Sequence, residues 1–394
     1  MLKRRDFIGS LGAGLALAAG APLQALAQGK PGLIPGRGVY SAPGLSFSAL
    51  YVAKRRDLWT ANGVDFSIKI VQGGPLAMAA LTSGEADFAC LTGTDLLIAW
   101  DKGIKTLTIA AFTTGLAMQM AARNDWMSKV GITPASPVAD KIKALKEARI
   151  GVSTIGGGPA QYMKYAATLY GMEERDFKLL AVGFGAARIA ALRENQVDVI
   201  VGSAPDADEV ALLGFGDFYL SFAAEVPAFK EMPYTIMAVT PEFASAKPEA
   251  VHAIAKSVGQ ASDYIQSNFD DSLEMLKAEF PKIDGRAIVR SMERDRATFP
   301  RGGLMSEAMW ENGIKVAKIT EQRGADGDLR RRQALDELLR RHLLEERVGP
   351  GRETVHAGRG LLVGSALGEP AVEDEGPGAP SPAAGARPAR SRPS

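Results

Sequence analysis

Eleven residues between Tyr51 and Asp95 recur 111 positions later, in register and without a gap. Tyr51, Leu58, Asp65, Phe66, Val71, Gly74, Ala79, Ala80, Leu81, Asp87 and Asp95 return as Tyr162, Leu169, Asp176, Phe177, Val182, Gly185, Ala190, Ala191, Leu192, Asp198 and Asp206. Solenoid units run to roughly 20 to 50 residues, so a period this long predicts a duplicated domain instead. Two similar lobes in one chain leave a cleft between them, which is a common place for a small-molecule site.

The first residues point to export. Lys3-Arg4-Arg5-Asp6-Phe7 precedes an apolar stretch over 11–21, and Ala25-Leu26-Ala27 supplies the small-residue pattern that a signal peptidase cuts. Residues 1–27 therefore read as an export signal. The arginine pair ahead of Phe7 gives it the twin-arginine form, which carries folded proteins into the periplasm. The apolar stretch is too short and too weakly hydrophobic to span a bilayer. No Cys follows the cleavage position, so no lipid anchor is expected.

The composition of the whole chain is that of a globular protein: 46% of residues are apolar and the net charge is +1. A near-neutral chain lacks the basic footprint of nucleic-acid binding. A single cysteine, Cys90, excludes an internal disulfide, which leaves stability to the cores of the two lobes. Composition changes abruptly near Thr320. Residues 321–394 hold no Lys, Phe, Tyr, Met, Ile, Asn, Trp or Cys and are crowded with Arg, Gly, Ala, Pro and Glu. Such a stretch reads either as GC-rich DNA translated out of frame or as an interaction tail. Leu335, Leu338, Leu339 and Leu343 have the spacing of one short helix face. Most of the tail is predicted to be disordered.

Within each lobe, short apolar strands alternate with glycine-containing loops and helices. Strands are expected near 38–42, 64–71, 88–91 and 106–112, then near 150–153, 177–182, 197–201 and 234–239, with one helix over 46–59. The pattern predicts an α/β protein whose lobes are mostly parallel sheets flanked by helices. Helices after residue 248 return to the first lobe. Lobe 1 is then 37–120 with 234–320 and lobe 2 is 121–233, joined by crossovers near 118–123 and 231–234.

Open parallel sheets bind ligands outside the carboxyl ends of their strands. The loops there contribute Ser41, Leu45 and Ser46, then Gly73 and Gly74, then Thr92 and Thr94 in the first lobe. The second contributes Thr154, Gly156, Gly157 and Gly158, then Gly183 and Phe184, then Ser203. Glycine allows close backbone approach, and free N–H groups at helix starts favour an acceptor or anion. Caps and turns use the same residue types. Phe47, Trp59, Tyr162, Phe184 and Tyr219 could stack on an aromatic solute. The acidic group Asp206, Asp208 and Glu209 opens a helix, where capping is the expected role and contact with an amine the alternative.

Several segments together resemble one family: "SAPGLSFSALYVAKRRDLW", "GGPLAMAALTSGEADFA", "LTGTDLLIAWDKG", "KIKALKEARIGVSTIGG" and "AALRENQVDVIVGSAPDADE". They are similar to the periplasmic substrate-binding proteins of the nitrate/sulfonate/taurine type, related in fold to thiamine-pyrimidine synthases. The resemblance spans about 37–318. It implies a type II periplasmic-binding fold with two hinge crossovers, which captures a small organic or anionic solute and delivers it to an ABC permease. It also implies a closing segment against the first lobe after residue 248, whereas residue 321 onward resembles nothing in the family. The compatible solutes are sulfonates, nitrate, aromatic carboxylates, pyrimidines and flavin precursors.

Enzymes of this fold are the alternative. A pyrimidine synthase needs a histidine donor, and His252, His342 and His356 fall in no expected cleft loop. A desulfinase-like enzyme would use Cys90 as nucleophile, yet no His stands near it in sequence to lower its pKa. Gly156-Gly157-Gly158 matches neither a dinucleotide fingerprint nor a phosphate loop, and no metal-ligand spacing occurs. No cofactor or metal is expected, and the chain is read as a monomeric non-enzyme. A ligand sensor acting on a membrane kinase would share these features.

Overall fold

The computed structural model describes residues 32–321, so the readings of 1–31 and 322–394 lie outside it. Two five-stranded sheets organise the chain. The first contains β1 (Ile34–Tyr40), β2 (Val64–Ile70), β3 (Phe88–Thr92), β4 (Leu107–Thr113) and β10 (Thr235–Val239), ordered β2-β1-β3-β10-β4. The second contains β5 (Met118–Arg123), β6 (Arg149–Val152), β7 (Lys178–Ala181), β8 (Val199–Ser203) and β9 (Gly216–Ser221), ordered β7-β6-β8-β5-β9. The orders are copies of each other. A shift of 111 residues carries β3 onto β8, and it carries the helix Gly74–Thr82 onto Ala186–Arg193.

Both sheets are mixed. β1 runs parallel to β2 and β3, and β6 parallel to β7 and β8. In contrast, β10 is antiparallel to β3 and β4, and β5 is antiparallel to β8 and β9. The reason lies in the crossovers. The chain leaves the first sheet at Thr113 and enters the second at Met118 as its fourth strand, then returns at Thr235 as the fourth strand of the first. The segment 118–123, read as a crossover, is a ladder strand, and β9 had no counterpart in the sequence reading.

Local chemistry accounts for the elements. Phe88, Ala89, Cys90 and Leu91 of β3 are all buried, as expected of a strand covered on both faces. Along Pro248–Ser267, Ala250, Ala253, Ile254, Val258, Ala261 and Ile265 bury one helical stripe against the first sheet, with Pro248 in the first turn, where it needs no N–H partner. The single helix expected over 46–59 is instead a 3-10 turn at Leu45–Phe47 followed by Ser48–Arg55 and Leu58–Ala61. Asp57 breaks it, with φ 52° in the left-handed region.

The duplication also keeps an ion-paired clamp at the amino end of each sheet. Arg37 donates from its backbone N–H and guanidinium to Asp87, and Arg149 does the same to Asp198. Each arginine also reaches the carbonyl of a left-handed turn residue, Gly84 or Asn195. The helix Glu307–Glu321 packs on both halves: Trp310 stacks on Trp100 at 6.1 Å, while Val316 joins the second-sheet core. Among the described residues no helix is long and apolar enough to cross a membrane, and no cluster of potential metal ligands occurs.

Candidate ligand-binding cleft

Loops at the carboxyl ends of the parallel strands of both sheets converge on one cleft with about 550 Å³ of empty space, part of it open to solvent. From the first half come Ser41, Ala42, Pro43, Ser46 and Phe47 after β1, Gly73 and Gly74 after β2, and Thr92 and Asp95 after β3. The second half supplies Ser153, Thr154, Gly157, Gly158 and Pro159 after β6, Phe184 and Arg188 after β7, and Ser203 after β8. Tyr234 and Thr235, where β10 begins, complete the wall.

Of the residues expected at the site, Ser41, Ser46, Gly73, Gly74, Thr92, Thr154, Gly157, Gly158, Phe184 and Ser203 line this cleft. Leu45, Thr94, Gly156 and Gly183 do not. Leu45 is buried in the first core, although its N–H donates to Ala204 O across the two halves (3.0 Å). Thr94 is buried, with its Oγ1 at 3.0 Å from that of Thr92. Gly156 is exposed, and Gly183 makes a turn with φ 80°.

Part of the expected cradle of N–H groups is already engaged. Gly73 N–H donates to Ser41 O, Gly93 N–H to Tyr234 O and Gly157 N–H to Thr154 O, at 2.8, 2.8 and 3.3 Å. The glycines instead answer a steric need. A Cβ on Gly74 would lie 2.0 Å from the Asp95 carboxylate, and one on Gly157 would lie 2.4 Å from Thr154 Oγ1. A Cβ on Gly158 would press on Thr92 Oγ1 of the opposite half at 3.2 Å.

Two charged residues line the cleft, Asp95 and Arg188. Arg188, from the helix Ala186–Arg193, is 4% exposed and bonds Asp206 through Nε (2.9 Å) and Nη2 (2.5 Å), and Val201 O through Nη1 (3.0 Å). Asp206 is thus an ion-pair partner and not a plain cap. Asp95 closes a capping box on the helix Gly93–Asp101: its Oδ2 accepts from Thr92 N–H (3.1 Å) and Oγ1 (2.6 Å), while its own N–H donates to Thr92 Oγ1 (3.2 Å). Burial raises its carboxyl pKa, against the pull of the Thr92 hydrogen bonds.

Asp208 corrects the capping expectation as well. Its carboxylate receives Arg294 in bidentate fashion (2.7 and 2.8 Å) together with Ser291 Oγ. Arg294 lies on Gly285–Asp295, a helix whose Ile288 and Met292 sit in the first-sheet core, so this pair ties the two halves together. Next to it, burial pushes Asp295 up to about 7, offset in part by Arg294 and reinforced by Asp208.

Cys90 sits inside β3, fully buried, and burial alone raises its thiol pKa; it is not part of the cleft wall. His252 is exposed on the Pro248–Ser267 helix. Of the aromatic candidates, Phe47 and Phe184 line the cleft, Phe47 while packed in the first core against Tyr40 and Phe112, whereas Trp59, Tyr162 and Tyr219 are core residues away from it. Sequence reasoning missed Asp95 and Arg188 as wall residues. Their signal was the duplication itself, since Asp95 and Asp206 are equivalent positions.

The architecture occurs in solved structures. The alkanesulfonate-binding protein SsuA from Xanthomonas axonopodis pv. citri, bound to MOPS, matches at 17% identity and TM-score 0.58 over 75% of this chain and 94% of its own. The periplasmic nitrate-binding protein NrtA from Synechocystis PCC 6803 matches at 15% identity and TM-score 0.60, over 79% and 89%. A Candida albicans gene product with the generic periplasmic-binding-protein fold matches at 15% identity and TM-score 0.58, over 78% and 95%. No curated protein matches by sequence. These likenesses establish the two-sheet periplasmic-binding fold, and with residues 44–278 matching its sequence model, the chain belongs to the NMT1-like family.

Proposed function

We propose that this protein is a periplasmic solute-binding component of an ABC importer, which captures a small organic solute between its two halves and presents it to a permease. Residues 37–120 with 234–320 act as one lobe and 121–233 as the other. The observation that carries the reading is the convergence of loops from both sheets on one cleft, with Gly158 against Thr92 and Leu45 N–H on Ala204 O closing it. A ligand that touches both walls is bound better by the closed state, and that difference sets how far closure is favoured. SsuA and NrtA carry binding-protein names and Cys90 is buried away from the cleft, both of which support capture without covalent chemistry.

Capture is tested by incubating the purified chain with a small-molecule extract, desalting it, denaturing it and analysing the released solute by mass spectrometry. One solute retained by the wild type and lost in Gly158→Leu, whose side chain would wedge the walls apart, is the expected result; an empty wild type overturns capture. Uptake of that solute by cells, abolished on deletion of the gene, then separates transport from sensing. We further propose that residues 1–27 send the chain through the twin-arginine route and that it acts as a monomer. Replacing Arg4 and Arg5 together by Lys should hold the precursor in the cytoplasm, and mature protein in the periplasm at normal levels would refute that route.

A further inference from the structure

We infer that the cleft takes an organic solute bearing a protonated nitrogen, held on the Asp95 carboxylate, and not a free oxyanion. This rests on the capture reading above and names the class of solute. The two charged wall residues differ in what they have left to offer. Arg188 is already neutralised by Asp206. Asp95 has no such partner: the position equivalent to Arg188 in the first half is Ala77, and no ion pair reaches Asp95 among the described residues. With Asp95 ionised, the cleft wall with its ion-pair partner therefore carries one uncompensated negative charge.

Capping explains only half of that carboxylate. Oδ2 takes both hydrogen bonds from Thr92, whereas Oδ1 accepts none from a described residue, although Asp95 is 9% exposed. A second wall residue points the same way. Ser46 is 2% exposed and its Oγ has no hydrogen-bond partner. A carboxylate oxygen without a donor and a buried hydroxyl without a partner, both on this wall, gain when a donor arrives, and a cationic donor satisfies both charge and hydrogen bonding. Phe184, half-buried on the wall, adds an aromatic ring, whose face attracts cations. An oxyanion would meet this excess negative charge with three of the nearby N–H groups, those of Gly73, Gly93 and Gly157, already donating elsewhere.

A charge-swapped set of one-ring probes tests the inference. Benzylamine, benzyl alcohol, benzenesulfonate and nitrate are titrated into the full-length protein by calorimetry, alongside Asp95→Asn, which keeps the capping oxygen. Benzylamine should bind best, and Asp95→Asn should weaken it by at least about tenfold without lowering the melting temperature by more than a few degrees. Ser46→Ala, which leaves the cap untouched, should weaken it less. Tighter binding of benzenesulfonate or nitrate, no response to benzylamine, or an Asp95→Asn affinity equal to wild type would each overturn it. The captured solute provides an independent check: one without a basic nitrogen overturns the charge assignment while leaving capture standing, and an empty protein removes capture itself.

Discussion

The helices Gly93–Asp101 and Asp206–Leu213 open at equivalent points of the duplicated halves, and their acidic residues meet opposite fates. Asp206 is locked to Arg188; Asp95 is buried and, among the described residues, its carboxylate is hydrogen-bonded to Thr92 alone. At the far end of the sheets, by contrast, the Arg37–Asp87 and Arg149–Asp198 clamps match almost atom for atom. The two copies have kept the chemistry that holds strands in register and separated in the chemistry that faces the cleft. That division fits a fold in which the site is altered by exchanging loop residues on a constant frame.

Several substitutions would break or sharpen this contrast. The largest effect belongs to Arg188→Ala, which strands Asp206 in a buried site and should cost about 3–5 kcal/mol in urea unfolding. Asp95→Ala removes one capping interaction and also an uncompensated buried charge, so it should cost about 1 kcal/mol or less. Equal losses would erase the distinction between the two helix starts.

A second contrast of the same kind lies where the halves meet, since Asp208 is paired with Arg294 and its neighbour Asp295 is not. Asp295 has a folded-state value of about 7, above the 3.8 of an ordinary aspartate. The folded protein therefore holds a proton that the unfolded chain has released between those values, and stability falls as pH rises through this window. Asp295→Asn should flatten that dependence and raise stability at pH 8 by on the order of 2 kcal/mol, as read by unfolding at pH 4 to 8. An unchanged pH profile would show that Asp295 is not the titrating group.

The smallest expected difference is between the matched clamps. Asp87→Asn and Asp198→Asn should each cost about 1 kcal/mol and agree to within about 0.5 kcal/mol. For Asp198 burial works against ionisation, but the Arg149 hydrogen bonds outweigh it and lower the carboxyl pKa. Its contribution should accordingly be present at neutral pH and fade in acid. A large difference between the two variants would mean that the frames have diverged as well.

Much of this was legible in the sequence, for identifiable reasons. The 111-residue offset gave both sheets, because a duplicated pattern of buried strands and glycine loops is local. The carboxyl-end rule placed Ser41, Gly74, Thr92, Thr154 and Ser203 at the cleft. The return of 234–239 to the first lobe was read from the sequence, but β5 as a ladder strand and the antiparallel insertion of β5 and β10 were hidden because strand pairing is non-local. Arg188 was hidden too, since an arginine inside a helix reads as a solvated face until Asp206, one strand further on, is brought against it. The broken helix at Asp57 turned on a single left-handed residue, which neighbouring apolar spacing does not reveal.

The late arrival of β10 bears on how the protein is made. It occupies the slot between β3 and β4, yet it leaves the ribosome only after the whole second sheet has been synthesised. Until then β3 and β4 present facing edges with a strand-wide gap, the kind of unpaired backbone that invites wrong partners. A nascent chain arrested before Thr235 can complete its second sheet but not its first, so the half that begins earlier finishes later.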